Sequence, residues 1–323
     1  MSFAIQTNNL TKKFFVNKKE IIAVNGIDLE VKTGEIFGLL GPNGAGKTTT
    51  MRMLTTLLKP TAGAATVVGY DLASQPEMVR LHIGYVSQTG GLERDATGRE
   101  NLILQTRIFG KSKYEAEARV DELIKAFGLQ EYADRYVKTY SGGQRRKTDI
   151  LLGLVHKPKL LFLDEPTTGL DPAARVQVWE QIRKLRDQGT TIVLTTHYLD
   201  EADNLCDRVA IVDRGIVVAL DAPSALKREI GGDTIVLETD QPVDSVDTKL
   251  FDVIPDIKHI GKARNKITMH VSNGENILPQ ILRLSDQAGV VLTAVSFHRP
   301  TLDDVFLQKT GRSLVNEIKA EEI

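Results

Sequence analysis

The sequence contains one cysteine, Cys206, in 323 residues. A single thiol excludes an intrachain disulfide framework and a zinc site built from cysteines, and it fits the reducing cytosol. The chain also has no basic excess, because 41 Lys and Arg residues oppose 42 Asp and Glu residues and the net charge is −1. Proteins that coat nucleic acid normally carry such an excess. We therefore expect no nucleic-acid partner.

Long apolar stretches are missing as well. No run approaches the ~18 apolar residues that a membrane-spanning helix needs. The first residues, MSFAIQTNNLTKKFF, lack the apolar core and cleavage site of a secretory signal. If the protein works at a membrane, we expect another chain to supply the membrane span.

The remaining composition is that of a globular protein, with 41% hydrophobic and 26% charged residues. The length predicts about two domains. In the first part, short apolar strands alternate with helical patterns, which predicts an α/β fold with a largely parallel sheet. We place that domain at residues 1–228, a small α+β domain at 234–311, and a polar tail at 312–323. The predicted strands of the first domain are 36–40, 82–88, 159–166 and 190–197, with a hairpin at 208–220 and helices in 97–128. The predicted strands of the second are 235–239, 251–258, 266–271 and 290–297, with helices at 275–289 and 301–311.

The most specific local motif is GPNGAGKT, which begins at Gly41 and ends at Thr48. It matches the P-loop pattern and lies between a predicted strand and a predicted helix, as that motif requires. Glycines let main-chain N–H groups surround phosphate oxygens, and the helix N-terminus adds a positive dipole. Lys47 can reach the β- and γ-phosphates, and the Thr48 hydroxyl can bind Mg²⁺. The candidate phosphate-binding residues are Gly41, Asn43, Gly44, Gly46, Lys47, Thr48 and Thr49.

Polar residues also follow three other predicted strands. Asp164 and Glu165 end a buried strand, where ligands bind in parallel sheets. Asp164 is suited to hold Mg²⁺ through water, and Glu165 is suited to act as the general base for an attacking water. Gln88 and His197 end two further strands and are candidates for the same edge. Alone, each would more often be structural.

The segment YSGGQ has no strong base, no activated nucleophile and no metal ligand. Ser141 and Gln144 form the pattern of a capping box that begins a helix. Two glycines, Gly142 and Gly143, are an unexplained addition to such a cap, since glycine has an entropic cost in ordered structure.

Taken together, the P-loop, Gln88, Ser141–Gln144, Leu160–Glu165, Asp171 and His197 resemble the motifs of ATP-binding-cassette (ABC) ATPases, in order and spacing. The resemblance covers about residues 3–225. It implies a P-loop NTPase cassette, that is, a RecA-like core with a helical subdomain at about 89–158. It also implies ATP and Mg²⁺ as ligands, with Thr48, Gln88 and Asp164 at the metal. Phe14 would stack on adenine, with Phe15 as the alternative and core packing as the ordinary role of both.

The resemblance further implies that two copies pair head to tail. Ser141, Gly142, Gly143 and Gln144 of one copy would close over the ATP held by the P-loop of the other. Asp171 would lie at the seam between the copies. Tyr140 departs from the Leu that is usual in this family, but the departure removes no phosphate contact.

Two further segments, TGREN at 97–101 and RPTLDDVFLQKTG at 299–311, resemble the ATPase subunits of daunorubicin-resistance exporters. That resemblance implies an integral-membrane permease as a separate partner, with Gln88 and residues 89–110 as the coupling surface. It places the protein at the inner face of the cell membrane. Exporters of ions, lipid or polysaccharide remain alternatives, and so does a soluble ABC ATPase acting on nucleic acid or ribosomes. A P-loop kinase or GTPase would leave SGGQ unexplained.

Overall fold

The structure is a computed structural model that describes residues 2–16, 19–240, 246, 248–272 and 274–314. The chain divides into two units, with the boundary between Ala222 and Pro223. The sequence placed this boundary later, at 228–234. Helix Pro223–Glu229 belongs to the second unit, where Glu229 pairs with Lys309 at 2.7 Å.

An antiparallel sheet occupies the beginning of the first unit, and the sequence did not predict it. Its strands are β1 (Phe3–Val16), β2 (Lys19–Ile27), β3 (Glu30–Lys32), β5 (Ala62–Val67) and β6 (Tyr70–Asp71). Strand β1 pairs with β2, β3 and β5, and β5 pairs with β6. Register shifts interrupt several of these pairings.

The predicted parallel sheet is confirmed. Its strands are β4 (Ile36–Leu40), β7 (Ile83–Val86), β8 (Leu160–Asp164), β9 (Thr191–Thr196), β10 (Arg208–Asp213) and β11 (Ile216–Asp221). They lie in the order β11-β10-β4-β9-β8-β7, and the edge strand β11 pairs antiparallel with β10 as the predicted hairpin. The other pairings in this sheet are parallel. The carboxyl ends of β4, β7, β8 and β9 therefore share one edge.

Both faces of the parallel sheet are buried, which explains its continuous apolar runs. Along β8, Leu161 and Leu163 enter one hydrophobic cluster, whereas Leu160 and Phe162 enter another. The first cluster contains residues of the helices described next, and the second includes residues of the antiparallel sheet. Every residue of β8 is buried, so the strand and its carboxylates are fixed by packing from both sides.

The helices of the first unit follow the predicted caps. Thr97 and Ser141 each form a complete capping box, and Ser112 forms another. The sequence predicted the first two, and the structure confirms them. The helices are α1 (Lys47–Leu54), α2 (Pro76–His82), α3 (Gly98–Ile108), α4 (Lys113–Phe127), α5 (Gly142–Leu152), α6 (Pro172–Asp187) and α7 (Leu199–Leu205).

The second unit is the predicted α+β domain. Its elements are α8 (Pro223–Glu229), β12 (Asp233–Thr239), β13 (Ile257–Ala263), β14 (Lys266–Val271), α9 (Gly274–Gln287), β15 (Leu292–His298) and α10 (Leu302–Thr310). The antiparallel sheet has the order β13-β14-β12-β15. The prediction of a strand at 251–258 is wrong. Instead, Thr248–Phe251 is a 3₁₀ helix followed by turns, and β13 starts at Ile257, because Phe251 and Ile254 are both buried in the core of this unit.

The start of the predicted polar tail is packed rather than frayed. Leu314 is fully buried, and its N–H donates to Asp303 Oδ1 at 2.8 Å. Residues 315–323 lie outside the described residues. In the described part of the chain, none of the helices combines the length and apolar character that a bilayer crossing requires.

Candidate functional site

The loop between β4 and α1 has the backbone of an anion-binding turn. Gly44 and Gly46 adopt left-handed conformations, with φ of 73° and 106°. A Cβ at Gly46 would also press on Ala23 O, so only glycine fits there. Helix α1 begins directly after this turn, at Lys47. The loop therefore supplies main-chain N–H groups and a helix N-terminus at one place.

Lys47 is held within the loop. Only 4% of it is exposed, and Nζ donates to the main-chain oxygens of Gly41 at 2.7 Å and Pro42 at 2.9 Å. The two carbonyls hold the ammonium group beside the turn. A positive charge in this position is available to an anion that enters the loop.

Thr48 and Asp164 come together as the sequence predicted. Thr48 Oγ1 donates to Asp164 Oδ1 at 3.1 Å, and Thr195 Oγ1 donates to the same oxygen at 2.6 Å. A hydroxyl and a carboxylate are oxygen ligands of the kind that Mg²⁺ prefers. No cluster of three or more His, Cys, Asp or Glu side chains suited to a metal is present among the described residues. A cation here would accordingly depend on phosphate and water for its other ligands.

Glu165 accepts hydrogen bonds from side chains on three other segments. Gln88 Nε2 donates to Oε2 at 2.9 Å, Thr168 Oγ1 donates to Oε2 at 3.0 Å, and His197 Nδ1 lies 3.2 Å from Oε1. Burial by itself would raise the pKa of Glu165. Hydrogen bonding and charge from His197, the charge of Lys47 and the Thr168 hydrogen bond outweigh burial, so the pKa is lowered. The carboxylate is thus ionised at neutral pH and able to accept a proton.

A cavity of about 450 Å³ joins the P-loop to Glu165 and its partners, whereas Gly41 and Asp164 do not line it. Its volume is in the range of small-molecule sites. The lining residues are Ala23, Asn43, Gly44, Ala45, Gly46, Lys47, Thr48, Thr49, Gln88, Glu165, Thr168 and His197. The structure therefore brings together the predicted P-loop, base and strand-end residues.

Phe14 and Asp171 do not line this cavity. Phe14 is 37% exposed on β1, beneath the ammonium group of Lys12, and Phe15 is 73% exposed. Asp171 is the N-cap of α6, where Oδ1 accepts from Ala174 N at 2.9 Å.

Ser141 and its glycines also lie outside the cavity, at the exposed start of α5. The capping box is complete, with Gln144 N donating to Ser141 Oγ at 3.2 Å. A Cβ at Gly142 would lie 3.3 Å from Leu170, and one at Gly143 would lie 3.1 Å from Ala174. The glycines thus let the starts of α5 and α6 approach within the same chain, a role that the sequence did not predict.

Sequence reasoning also missed Thr195 and Arg146. Thr195 Oγ1 joins two neighbours, because it donates to Asp164 and accepts from Glu165 N at 3.0 Å. Its position two residues before His197, at the end of a buried strand, was a usable signal. The Arg146 guanidinium donates to three main-chain carbonyls around the same strand end. Nothing in the sequence RRK distinguishes it from its neighbours.

Comparisons with known proteins agree with this geometry. A family profile described as ABC transporter matches residues 24–168, and one described as ATP-binding protein DrrA1-3-like, C-terminal domain, matches residues 222–310. The daunorubicin/doxorubicin resistance ATP-binding protein DrrA of Streptomyces peucetius is 41% identical over 95% of this chain and 92% of its own length. The Nod factor export ATP-binding protein I of Burkholderia lata is 39% identical over 96% of this chain and 98% of its own.

Comparison with a solved structure also identifies the fold as an ATP-binding cassette. An ATP-binding cassette, determined as a dimer in a post-hydrolysis state with ADP and Pi, aligns with a TM-score of 0.62 and 26% identity. The alignment covers 68% of this chain and 98% of that chain.

Proposed function

The chain belongs to the ABC transporter family, as its ATP-binding and ATP-hydrolysing subunit, and on that premise we propose that it powers an exporter. ATP hydrolysis here would drive a separate integral-membrane permease at the inner face of the cell membrane. The observation that carries this proposal is near full-length similarity to a subunit named for drug resistance, which extends through the second unit. We propose a hydrophobic or amphipathic compound as cargo. The relative named for Nod factor export supports export as the shared activity.

The P-loop residues would hold the phosphates of ATP. Asn43 and the glycines present main-chain groups, Lys47 supplies charge, and Thr49 lines the same cavity. Thr48, Asp164 and Gln88 would hold Mg²⁺, a role supported by the 3.1 Å contact of the first two. The cation would neutralise charge on the β- and γ-phosphates. Phe14, or its neighbour Phe15, is the proposed adenine contact.

Glu165 would act as the general base in hydrolysis. Its lowered pKa keeps the carboxylate ionised, and it faces the P-loop across one cavity. Gln88 would orient the attacking water from one side of the carboxylate. His197 would hold the carboxylate from the other side and bring hydrogen-bonding capacity toward the γ-phosphate.

A second copy would cover the P-loop cavity. Ser141 and the N-terminus of α5 are exposed and free of bulky side chains, so they could approach a phosphate bound by another chain. Gln144 would fix Ser141 through the capping box, and Asp171 would start the neighbouring helix at the same seam. This arrangement supports a head-to-tail homodimer that encloses two ATP molecules. The cassette solved as a dimer supports it too.

The permease would dock beside the Gln88 loop. A groove of about 350 Å³ lies between this loop, α3 and α5, and its lining includes Leu57, Gln105, Phe109 and His156. Next in sequence to the lining residues Gln105 and Phe109, Leu104 and Ile108 are 60% and 68% exposed, one helical turn apart on α3. A short amphipathic helix of a permease would cover such an apolar edge. Movement of that helix would then reach the Gln88 loop at Ser87, Gly90 and Gly91, which line the groove.

The test uses Glu165→Gln in the full chain with ATP and Mg²⁺. Hydrolysis should fall by about 100-fold or more, because the base is lost, while the neutral amide leaves ATP bound. Light scattering should then report a stable dimer. Adding Ser141→Arg should prevent dimer formation without weakening ATP binding by the monomer. A Glu165→Gln protein that binds ATP but stays monomeric would contradict the proposed dimer.

The transport assignment needs a separate experiment. The tagged chain should co-purify from detergent-solubilised membranes with a multispanning protein. Replacing Leu104 and Ile108 by Glu should release it from that protein while the ATP affinity stays unchanged. Fractionation with ribosomes or DNA instead would refute the transport assignment and favour the soluble ABC ATPase.

A further inference from the structure

Arg146 lies on α5, four residues into the helix that begins with the SGG segment. It is 7% exposed. Its Nε donates to Pro166 O at 2.7 Å, one terminal nitrogen donates to Asp164 O at 3.0 Å, and the other donates to Ser87 O at 2.8 Å. These carbonyls belong to the residues on either side of Glu165 and to the residue before Gln88. One guanidinium therefore holds the backbone of both candidate water-positioning groups.

The backbone of Glu165 needs such support. Its φ is +45°, a left-handed value that is unfavourable for a residue with a side chain. Such strain persists only where neighbouring contacts fix the conformation. Arg146 binds the carbonyls before and after this residue, and Thr195 Oγ1 accepts its N–H at 3.0 Å. The three bonds set the direction in which the Glu165 carboxylate points.

Asp149, on the next turn of α5, holds the other side of Gln88. Its Oδ1 accepts from Gly91 N at 2.8 Å, and burial is the main cause that raises the pKa of its carboxyl. Burial also lowers the pKa of Arg146, but the charges of Asp149, Glu201 and Asp164 favour its charged form. Helix α5 thus forms hydrogen bonds to the Gln88 loop at Ser87 and at Gly91, and to the main chain on both sides of Glu165.

We infer that Arg146 is a positioning residue that couples the two ATP sites of the dimer. Within one chain, it connects Glu165 and Gln88 of that chain's own site to the helix whose first residues serve the partner's site. A planar guanidinium holds its donors in fixed directions and can orient three separate carbonyls, whereas an ammonium group is a compact charge with rotatable donors. Any shift of the Gln88 loop or the Glu165 strand on one side would move the start of α5 on the other. The inference rests on the proposed head-to-tail dimer.

The first experiment compares Arg146→Gln with Arg119→Gln. Arg119 is a matched control, since its guanidinium also donates to main-chain carbonyls, those of Leu154 and Val155, but neither of these residues adjoins Glu165 or Gln88. We expect Arg146→Gln to lower kcat by about 10- to 100-fold, the effect of a misplaced catalytic group, with the ATP Kd changed by less than about threefold. Arg119→Gln should keep kcat within about twofold even where it lowers Tm. An Arg146→Gln protein with a reduced Tm but the kcat of Arg119→Gln would overturn the positioning role.

The second experiment uses mixed dimers carrying two different affinity tags. Glu165→Gln in one chain silences that chain's own site. When Arg146→Gln is placed in the same silenced chain, the remaining site uses the partner's P-loop and the altered chain's SGG segment. If Arg146 couples the two sites, the remaining site should hydrolyse ATP about tenfold more slowly than in a mixed dimer that carries Glu165→Gln alone. A normal rate in that arrangement would overturn the coupling between sites. Failure of the Glu165→Gln parent to dimerise would instead refute the proposed dimer.

Discussion

Replacing Tyr140 by Phe removes one hydroxyl from the residue before Ser141. Tyr140 is 7% exposed and packs edge-on against Tyr132 with ring centroids 5.1 Å apart. Its hydroxyl donates to Tyr132 O at 2.7 Å and lies beside Gly98 at the start of α3. Phe keeps the ring packing. The change therefore isolates one hydrogen bond, which ties the residue before the SGG segment to the main chain of Tyr132.

The expected loss of stability follows from the hydrogen bonds that Tyr132 O keeps. Tyr132 O keeps a second hydrogen bond, from Arg135 N at 3.0 Å, so its loss is about 1 kcal/mol. We expect Tyr140→Phe to lower the free energy of unfolding of the first unit by about 1 kcal/mol.

Urea unfolding followed by tryptophan fluorescence measures this directly, because the single tryptophan, Trp179, is buried in the first unit. Tyr114→Phe is the matched control, since Tyr114 is 82% exposed and its change should stay within about 0.5 kcal/mol. A Cβ at Gly98 would overlap the Tyr140 hydroxyl, so Gly98→Ala should be less damaging in the Phe background. Equal stability of the two Phe variants, or strict additivity with Gly98→Ala, would refute the reasoning.

Four further changes test other parts of the molecule. Lys47→Ala should weaken ATP binding by about 10-fold or more through loss of a charge-assisted contact, and titration calorimetry showing an unchanged Kd would contradict its phosphate role. Glu201 is fully buried, and burial raises the pKa of its carboxyl above the ordinary value of 4.5. The folded state therefore loses stability as the pH rises through the raised pKa and the carboxyl must ionise. Glu201→Gln should be more stable than the parent across this pH window, and parallel curves of stability against pH would exclude the mechanism. Gly143→Ala places a Cβ 3.1 Å from Ala174. Adding Ala174→Gly to that variant should restore stability but not ATP hydrolysis. If hydrolysis is restored as well, the glycine serves only the packing of α5 against α6. Truncation after Ala222 should weaken the ATP-dependent dimer in sedimentation experiments, and an unchanged dimer would remove the second unit from dimerisation.

The P-loop and the strand-end residues were predictable because their signals are contiguous. Lys47 and Thr48 follow a fixed pattern, and a buried apolar strand ending in Asp164 can place its carboxylates only at one edge of a parallel sheet. Side chains at the ends of neighbouring parallel strands must then converge. His197 and Gln88 meet Glu165 for that reason.

The antiparallel sheet was not predictable in the same way. Strand β1 changes register at several points, and Asn9 in its middle has a φ of 52°. Irregular pairing breaks the alternation of apolar and polar residues that identifies a strand. Tertiary pairing with β2, β3 and β5, rather than local preference, makes this segment extended.

Arg146 shows a different limit. In sequence it is the middle residue of a charged triplet on a helix, and such residues are usually exposed. Its burial depends on how α5 lies against the ends of β7 and β8, which the helical period alone does not set. Only the packed fold reveals that one of the three cations points inward to main-chain carbonyls.

The glycines of the SGG segment satisfy two demands at the same helix start. Within the chain, Gly142 and Gly143 allow Leu170 and Ala174 to approach, so α5 and α6 begin side by side, each with its own capping side chain. Outward, the same lack of side chains leaves an exposed helix N-terminus that a phosphate could reach. A capping box alone would need neither property. Because the inner contact fixes where α5 begins, it also fixes where a partner's phosphate would have to lie. The packing of one chain would thereby define half of a site that belongs to two.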